Sequence, residues 1–191
     1  MRRFSLPFAV CLAAFAVTLY AQGKQFRLGR TPTPDEVRRW NITVLPDGTG
    51  LPSGSGTVAE GHEVYADKCS GCHGDNGEGR EPLGPRLVGG FGTLRSDNPV
   101  LTVGSYWPYA TTVWDYIHRT MPYAKPGTLS ANEVYALTAF LLYRNGVISR
   151  NEIMSRQTLP KVEMPNRNGF VPDRVQMLPV PTISRPLDAA P

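Results

Sequence analysis

Five consecutive residues, Cys69-Ser70-Gly71-Cys72-His73, carry the plainest chemistry in this chain of 191 residues. Two thiols three positions apart can reach the two vinyl groups of one porphyrin and close thioether bonds. The imidazole that follows can then turn a ring nitrogen onto the iron, and C-x-x-C-H is the attachment signature of c-type haem (heme c). The same residues have two rival uses. A redox-active dithiol would leave His73 incidental and expects a strand–helix–strand context, whereas the flanking periodicity here is helical. A zinc site would need a fourth ligand from His62 or His118, which are scattered along the chain. One covalent haem, anchored by Cys69 and Cys72 and ligated by His73, is the use the surroundings favour.

An iron held from one side needs a second axial partner, and its identity decides the chemistry. Candidates are Met121, Met154, Met164, Met177, His62 and His118. Met121 has the best placement, because it ends a helical run and precedes Pro122, where the chain must turn. Met164-Pro165 imitates that dipeptide but falls beyond the last helix. His/Met ligation raises the reduction potential and closes both axial positions, so it implies electron carriage without bond-making at the iron. A ligating His usually gives its other N–H to a carbonyl. The Pro85 carbonyl, after Gly84, is placed to receive it. Trp107, with Tyr106 and Tyr109, could wall the haem or bind a propionate, or serve as ordinary core. Arg86 or Arg95 could pair with a propionate, although a solvated Arg is the commoner fate.

Three helices can be read around these residues. The first covers about Val58 to Lys68, with Gly61 permitting close approach by another element. The second covers about Thr111 to Thr120, with Val113, Ile117 and Met121 at i, i+4 steps. The third begins at a capping box, Ser130 with Glu133, continues through Val134, Leu137, Phe140, Leu141 and Leu142, and leaves at Asn145-Gly146. The chain therefore divides into a leader at 1–21, an extended N-terminal arm at 22–56 with a short helix near Asp35 to Trp40, an all-α domain at 57–146, and a Pro-rich C-terminal tail at 147–191. Ile153, Met154, Leu159, Val162, Met164, Phe170 and Val171 give that tail enough apolar character to dock. A domain of about 90 residues has a modest core, and a covalent macrocycle is a staple for it.

Composition narrows the setting. The three cysteines exclude a disulfide-dense scaffold. The net charge of +4 is spread as −2 over 57–146 and +2 over each of 1–21, 22–56 and 147–191. No Lys/Arg stripe forms, so nucleic acid is not an expected partner. Arg2 and Arg3 before the uncharged stretch from Phe4 to Ala21 read as an export signal; Cys11 within it is an incidental apolar residue. Export places the body in the periplasm, with a membrane attachment only if the leader stays uncleaved.

The stretch from Tyr65 to Gly146, with C-S-G-C-H, L-G-P-R-L, T-M-P and L-S-A-N-E-V-Y-A-L-T-A-F-L-L, resembles the class I c-type cytochromes. Three longer strings are narrower: Pro46 to Gly56, Thr102 to Thr112, and Met164 to Phe170 with Leu142 to Gly146. These are similar to cytochrome subunits of periplasmic sulfite dehydrogenases and of the related sulfane dehydrogenase. The resemblance implies the class I cytochrome c fold, with helices around a covalent haem, and His73 and Met121 as axial ligands. It also implies a separate molybdenum-cofactor subunit that oxidises the sulfur substrate and a soluble cytochrome c that accepts the electrons. The sulfane-dehydrogenase subunit typically carries a second haem domain, and the single C-x-x-C-H here favours the sulfite-oxidising branch. A free-standing electron shuttle, or a haem protein that binds gas or reduces peroxide, are the other function classes.

Overall fold

The computed structural model describes residues 29–171. The leader at 1–21, Met177 and the tail beyond Val171 lie outside the described residues. Among the described residues five α-helices run in chain order: α1 Pro34–Trp40, α2 Val58–Lys68, α3 Ser70–His73, α4 Ala110–Thr120 and α5 Ala131–Arg144. Two short strands, β1 Ser55–Thr57 and β2 Ile153–Ser155, pair antiparallel with Gly56 opposite Met154. Helix α1 belongs to a unit that ends at Ile42, and everything from Thr43 onward forms a second unit.

Two of the three longer helices start where the sequence provides a cap. Thr57 with Glu60 opens α2, and Ser130 with Glu133 opens α5, both as reciprocal capping boxes. Helix α4 has no side-chain cap and owes its place to burial of Ala110, Thr111, Val113, Trp114 and Ile117. Helix α5 has nine consecutive buried residues, Val134 to Leu142, so it is the central element rather than a surface one.

Glycine decides how closely α5 is approached. A Cβ on Gly61 of α2 would overlap the Ala136 carbonyl oxygen and stand 2.8 Å from Phe140 Cβ. A Cβ on Gly56 of β1 would overlap the Ala136 amide and stand 2.6 Å from Ala136 Cβ. Two elements thus lie backbone-to-backbone against one turn of α5. The close approach expected at Gly61 is present; that of Gly56 went unread because a three-residue strand leaves no periodic signal.

The two flanks set apart in the sequence also enter the fold. Val44 and Leu51 from before the β1 strand, and Ile148, Met154, Leu159 and Met164 from after α5, are buried in the same core as the helices. Residues 43–56 and 147–171 are therefore part of the packed unit; Met154, Leu159 and Met164 of the tail are consumed within the chain, whereas Ile153, Phe170 and Val171 stay exposed. The reason is size: three helices alone bury too little, so irregular segments complete the core.

Lys68 of α2 and Glu133 of α5 meet at 2.6 Å, while Glu133 also accepts from the Ser130 amide at 2.8 Å. The Lys68 ammonium, followed by the Ser130 amide, holds the Glu133 carboxyl at about 2. A depressed folded value adds stability above the unfolded carboxyl range, lost as pH falls through about 2. Because the carboxylate is 29% exposed, screening keeps the effect on the order of 1 kcal/mol. Glu133→Gln is expected to lower the melting temperature at pH 7, and thermal melts taken down to pH about 2 should show the difference from the parent vanish.

Candidate haem-binding site

The attachment turn follows directly from the end of α2. Cys69 is the C-cap of α2, and its carbonyl accepts from the amides of Cys72 at 3.1 Å and His73 at 3.0 Å, which winds α3 into a single turn. Tyr65, one turn back in α2 and 1% exposed, reaches over with its hydroxyl to the Gly74 carbonyl at 2.9 Å. Gly74 has a φ of +79°, a left-handed conformation that lets the chain leave the turn at once. The start of the turn is fixed to the helix and its end is fixed to the same helix, so the motif is held rigidly.

Neither Cys69 nor Cys72 is in a disulfide. Cys72 is exposed and Cys69 half-buried against the core, where burial pushes its thiol up to about 11. His73 is buried, and its Nδ1 lies 2.8 Å from the Pro85 carbonyl oxygen. A carbonyl only accepts, so Nδ1 carries the proton and Nε2 presents a lone pair. Gly84 makes this contact possible, since a Cβ there would stand 2.7 Å from the Cys72 carbonyl oxygen and 3.1 Å from His73 Nδ1.

The loop that brings Pro85 to the imidazole is itself tied down. The Leu87 amide donates to the Gly77 carbonyl at 2.8 Å, and Asn145 at the end of α5 serves both strands of the crossing. Asn145 is 4% exposed, accepts from the Gly89 amide at 3.0 Å and donates to the carbonyls of Leu87 at 3.2 Å and Leu141 at 2.9 Å. Thr102 adds a bond from its hydroxyl to the Gly89 carbonyl at 2.6 Å. Asn145 reads in the sequence only as a helix exit; a fully bonded buried amide has no periodicity to betray it.

Met121 is the C-cap of α4, half-buried and packed against the core alongside Cys69, Leu87 and Trp107. Trp114, His118 and Met121 follow at i, i+4 and i+7, one face of that helix. On it Trp114 Nε1 and His118 Nδ1 are buried without a hydrogen-bond partner among the described residues. Of the other axial candidates, Met154 and Met164 are 1% and 3% exposed within the core. His62 lies on α2 with its ring on Phe140, and His118 stacks on Trp114 at 4.9 Å. Among the described residues no three His, Cys, Asp or Glu side chains gather as a metal-holding group.

The aromatic trio does not form one cluster. Trp107 is half-buried and meets Tyr116 edge-on at 5.3 Å, Tyr106 meets Phe170 at 5.1 Å, and Tyr109 lies under the Arg167 guanidinium at 5.2 Å. Asn166 Nδ2 also donates to the Tyr106 carbonyl at 2.7 Å. The strings Thr102–Thr112 and Met164–Phe170, far apart in sequence, are thus one contact region. Arg86 Nε donates to the Glu78 carbonyl at 3.2 Å, and Arg95 is exposed.

The donor set fits a covalent porphyrin: two free thiols on one turn, an imidazole with its lone pair at Nε2, a half-buried thioether, and two unsatisfied buried nitrogens on the thioether's helix. The sequence profile of the family described as Cytochrome c matches residues 58–145. A chain of the solved sulfane dehydrogenase SoxCD from Paracoccus pantotrophus is 44% identical, with a TM-score of 0.74, over 87% of this chain and 83% of that one. This chain belongs to the cytochrome c family. A thiosulfate dehydrogenase of Stutzerimonas stutzeri (strain A1501) is 29% identical over 112 residues, and the match spans 35% of its length. The cytochrome therefore carries one covalently bound haem c on the all-α class I fold, and it is an electron-transfer protein.

Gly84→Ala is expected to force apart the Cys72 carbonyl and the His73–Pro85 bond, costing about 1–3 kcal/mol as overpacking does. Denaturant unfolding should register that loss, and potentiometry a shifted haem midpoint potential. Unchanged values for both would mean that the turn yields freely.

Proposed function

We propose that this cytochrome removes electrons one at a time from a molybdenum-cofactor subunit that oxidises a sulfur compound, and delivers them to a soluble cytochrome c in the periplasm. Haem c, when bound, supplies a one-electron couple. Cys69 and Cys72 anchor it through thioethers. His73 offers Nε2 to the iron, with Nδ1 fixed by Pro85 so that the ring cannot rotate or exchange tautomers. Met121 is assigned the opposite axial position, and Trp107 a place in the wall. With His73 and Met121 both holding the iron, no coordination position would be left for oxygen or peroxide, which favours electron carriage over gas binding or peroxide reduction.

The observation that carries this reading is the His73–Pro85 bond standing on a C-x-x-C-H turn that is clamped at both ends. A rigid ligand set changes little between oxidation states, which is what repeated single-electron passage requires. The leader at 1–21 supports export, and among the described residues no helix is long and apolar enough to cross a membrane.

The likeness to the SoxCD chain, over 83% of its length, favours a sulfane-sulfur substrate for the partner subunit. Sulfite is the second reading, favoured by the one attachment motif. A free-standing shuttle accounts less well for the contact region built by Tyr106, Tyr109 and residues 164–170.

Stopped-flow mixing of the oxidised cytochrome with its sulfur-oxidising subunit decides between them. Haem reduction is expected with a sulfane-sulfur compound only when both subunits are present. Reduction by sulfite alone at the same rate would move the assignment to the sulfite branch, and reduction with neither would contradict the pairing.

A further inference from the structure

Helix α1 is built as though it had something to bind. Seven residues are too few for a helix to persist on propensity alone, and α1 contains no buried residue. It is nonetheless fully dressed. Thr33 and Glu36 form a reciprocal capping box, Pro34 starts the first turn, Asp35 and Glu36 stand at the positive end and Arg38 and Arg39 at the negative one. Arg30 pairs with Glu36, and Arg38 with Asp35.

These local devices hold an apolar face open. Val37, Trp40 and Ile42 are 48%, 86% and 43% exposed. Pro32, Val37 and Trp40 help to line an open groove of about 640 Å³. An indole left almost wholly in water is the costliest exposed group in this segment, and Trp is the residue most enriched where partners are gripped.

The likeness to the solved sulfane dehydrogenase points to an occupant for this face. Of 191 residues, 87% is about 166, whereas everything from Thr43 to Pro191 is 149 residues. The match therefore extends at least about 17 residues to the N-terminal side of Thr43 and takes in α1. The segment that carries this exposed helix therefore has a counterpart in a chain crystallised as part of a sulfur-oxidising enzyme.

We infer that α1 is an anchor that inserts Trp40, flanked by Val37 and Ile42, into an apolar socket on the sulfur-oxidising subunit. The inference rests on the functional reading above. Pre-formed caps reduce the ordering cost of binding, so a small face can contribute strongly. Electron transfer stays with the haem unit; α1 raises the time the two subunits spend together.

The test uses full-length haem-loaded cytochrome and the sulfur-oxidising subunit purified from the same source, with affinity measured by calorimetry. Trp40→Ala is expected to weaken binding at least about tenfold, as loss of an interface anchor does, whereas Trp40→Phe should retain most of it. The haem spectrum and melting temperature of both variants should match the parent. Hydrogen exchange should show the Val37 and Asn41 amides, which close the helix, slowed in the complex and fast in the free chain. A parent that binds while Trp40→Ala binds equally well overturns the anchor and leaves the functional reading intact. A parent that does not bind overturns both. Self-association of the chain alone, or binding to anionic lipid vesicles, that Trp40→Ala abolishes would give the face to a second copy or a membrane and overturn the anchor.

Discussion

The fold depends on contact between α5 and two glycines. Gly56 and Gly61 present bare backbone to the turn at Ala136, so a strand and a helix both reach α5 without a side chain between. Because α2 is held this close, its C-terminal end is fixed relative to the longest buried element of the unit. The C-x-x-C-H turn begins at that end. A haem site built there inherits its position from the α2–α5 crossing, and Asn145, at the other end of α5, fixes the loop that supplies Pro85. One helix thus sets both the anchoring cysteines and the carbonyl that orients His73.

Much of this was legible from residue types. The capping box at Ser130 located the start of α5, and C-x-x-C-H located the cofactor, because these are local signals in which neighbours in sequence do the chemistry. The carbonyl facing His73 could be named because Gly84-Pro85 offers a small residue followed by an extended one. What stayed hidden was long-range. Gly56 opposite Met154, Asn145 bridging to Gly89 and Leu87, and Asn166 reaching Tyr106 join residues about 55 to 100 positions apart. No pattern along the chain encodes such pairings. The packing of the tail is hidden for the same reason: its prolines advertise an irregular path and its apolar residues a capacity to dock, but only the fold shows Met154, Leu159 and Met164 filling the core.

The two flanks now have different characters. The C-terminal flank to Val171 completes the haem domain, tying residues 164–170 to the turn before α4. The N-terminal flank divides, since Val44 and Leu51 belong to the core whereas α1 buries nothing. This division matters for a cytochrome that serves an enzyme. The residues assigned to the redox centre are kept in one packed unit, and the residues proposed to govern association lie on a separate segment.

The account stands or falls on the axial pair His73 and Met121. Its most direct test is the ferric absorption spectrum of the purified haem protein in the far red, where a sulfur-to-iron charge-transfer band reports thioether ligation. The band should be present in the parent and absent from Met121→Ala, while Met154→Leu and Met164→Leu keep it. A band that survives Met121→Ala, or is missing from the parent, would contradict the proposed coordination and the electron-carrying role built on it.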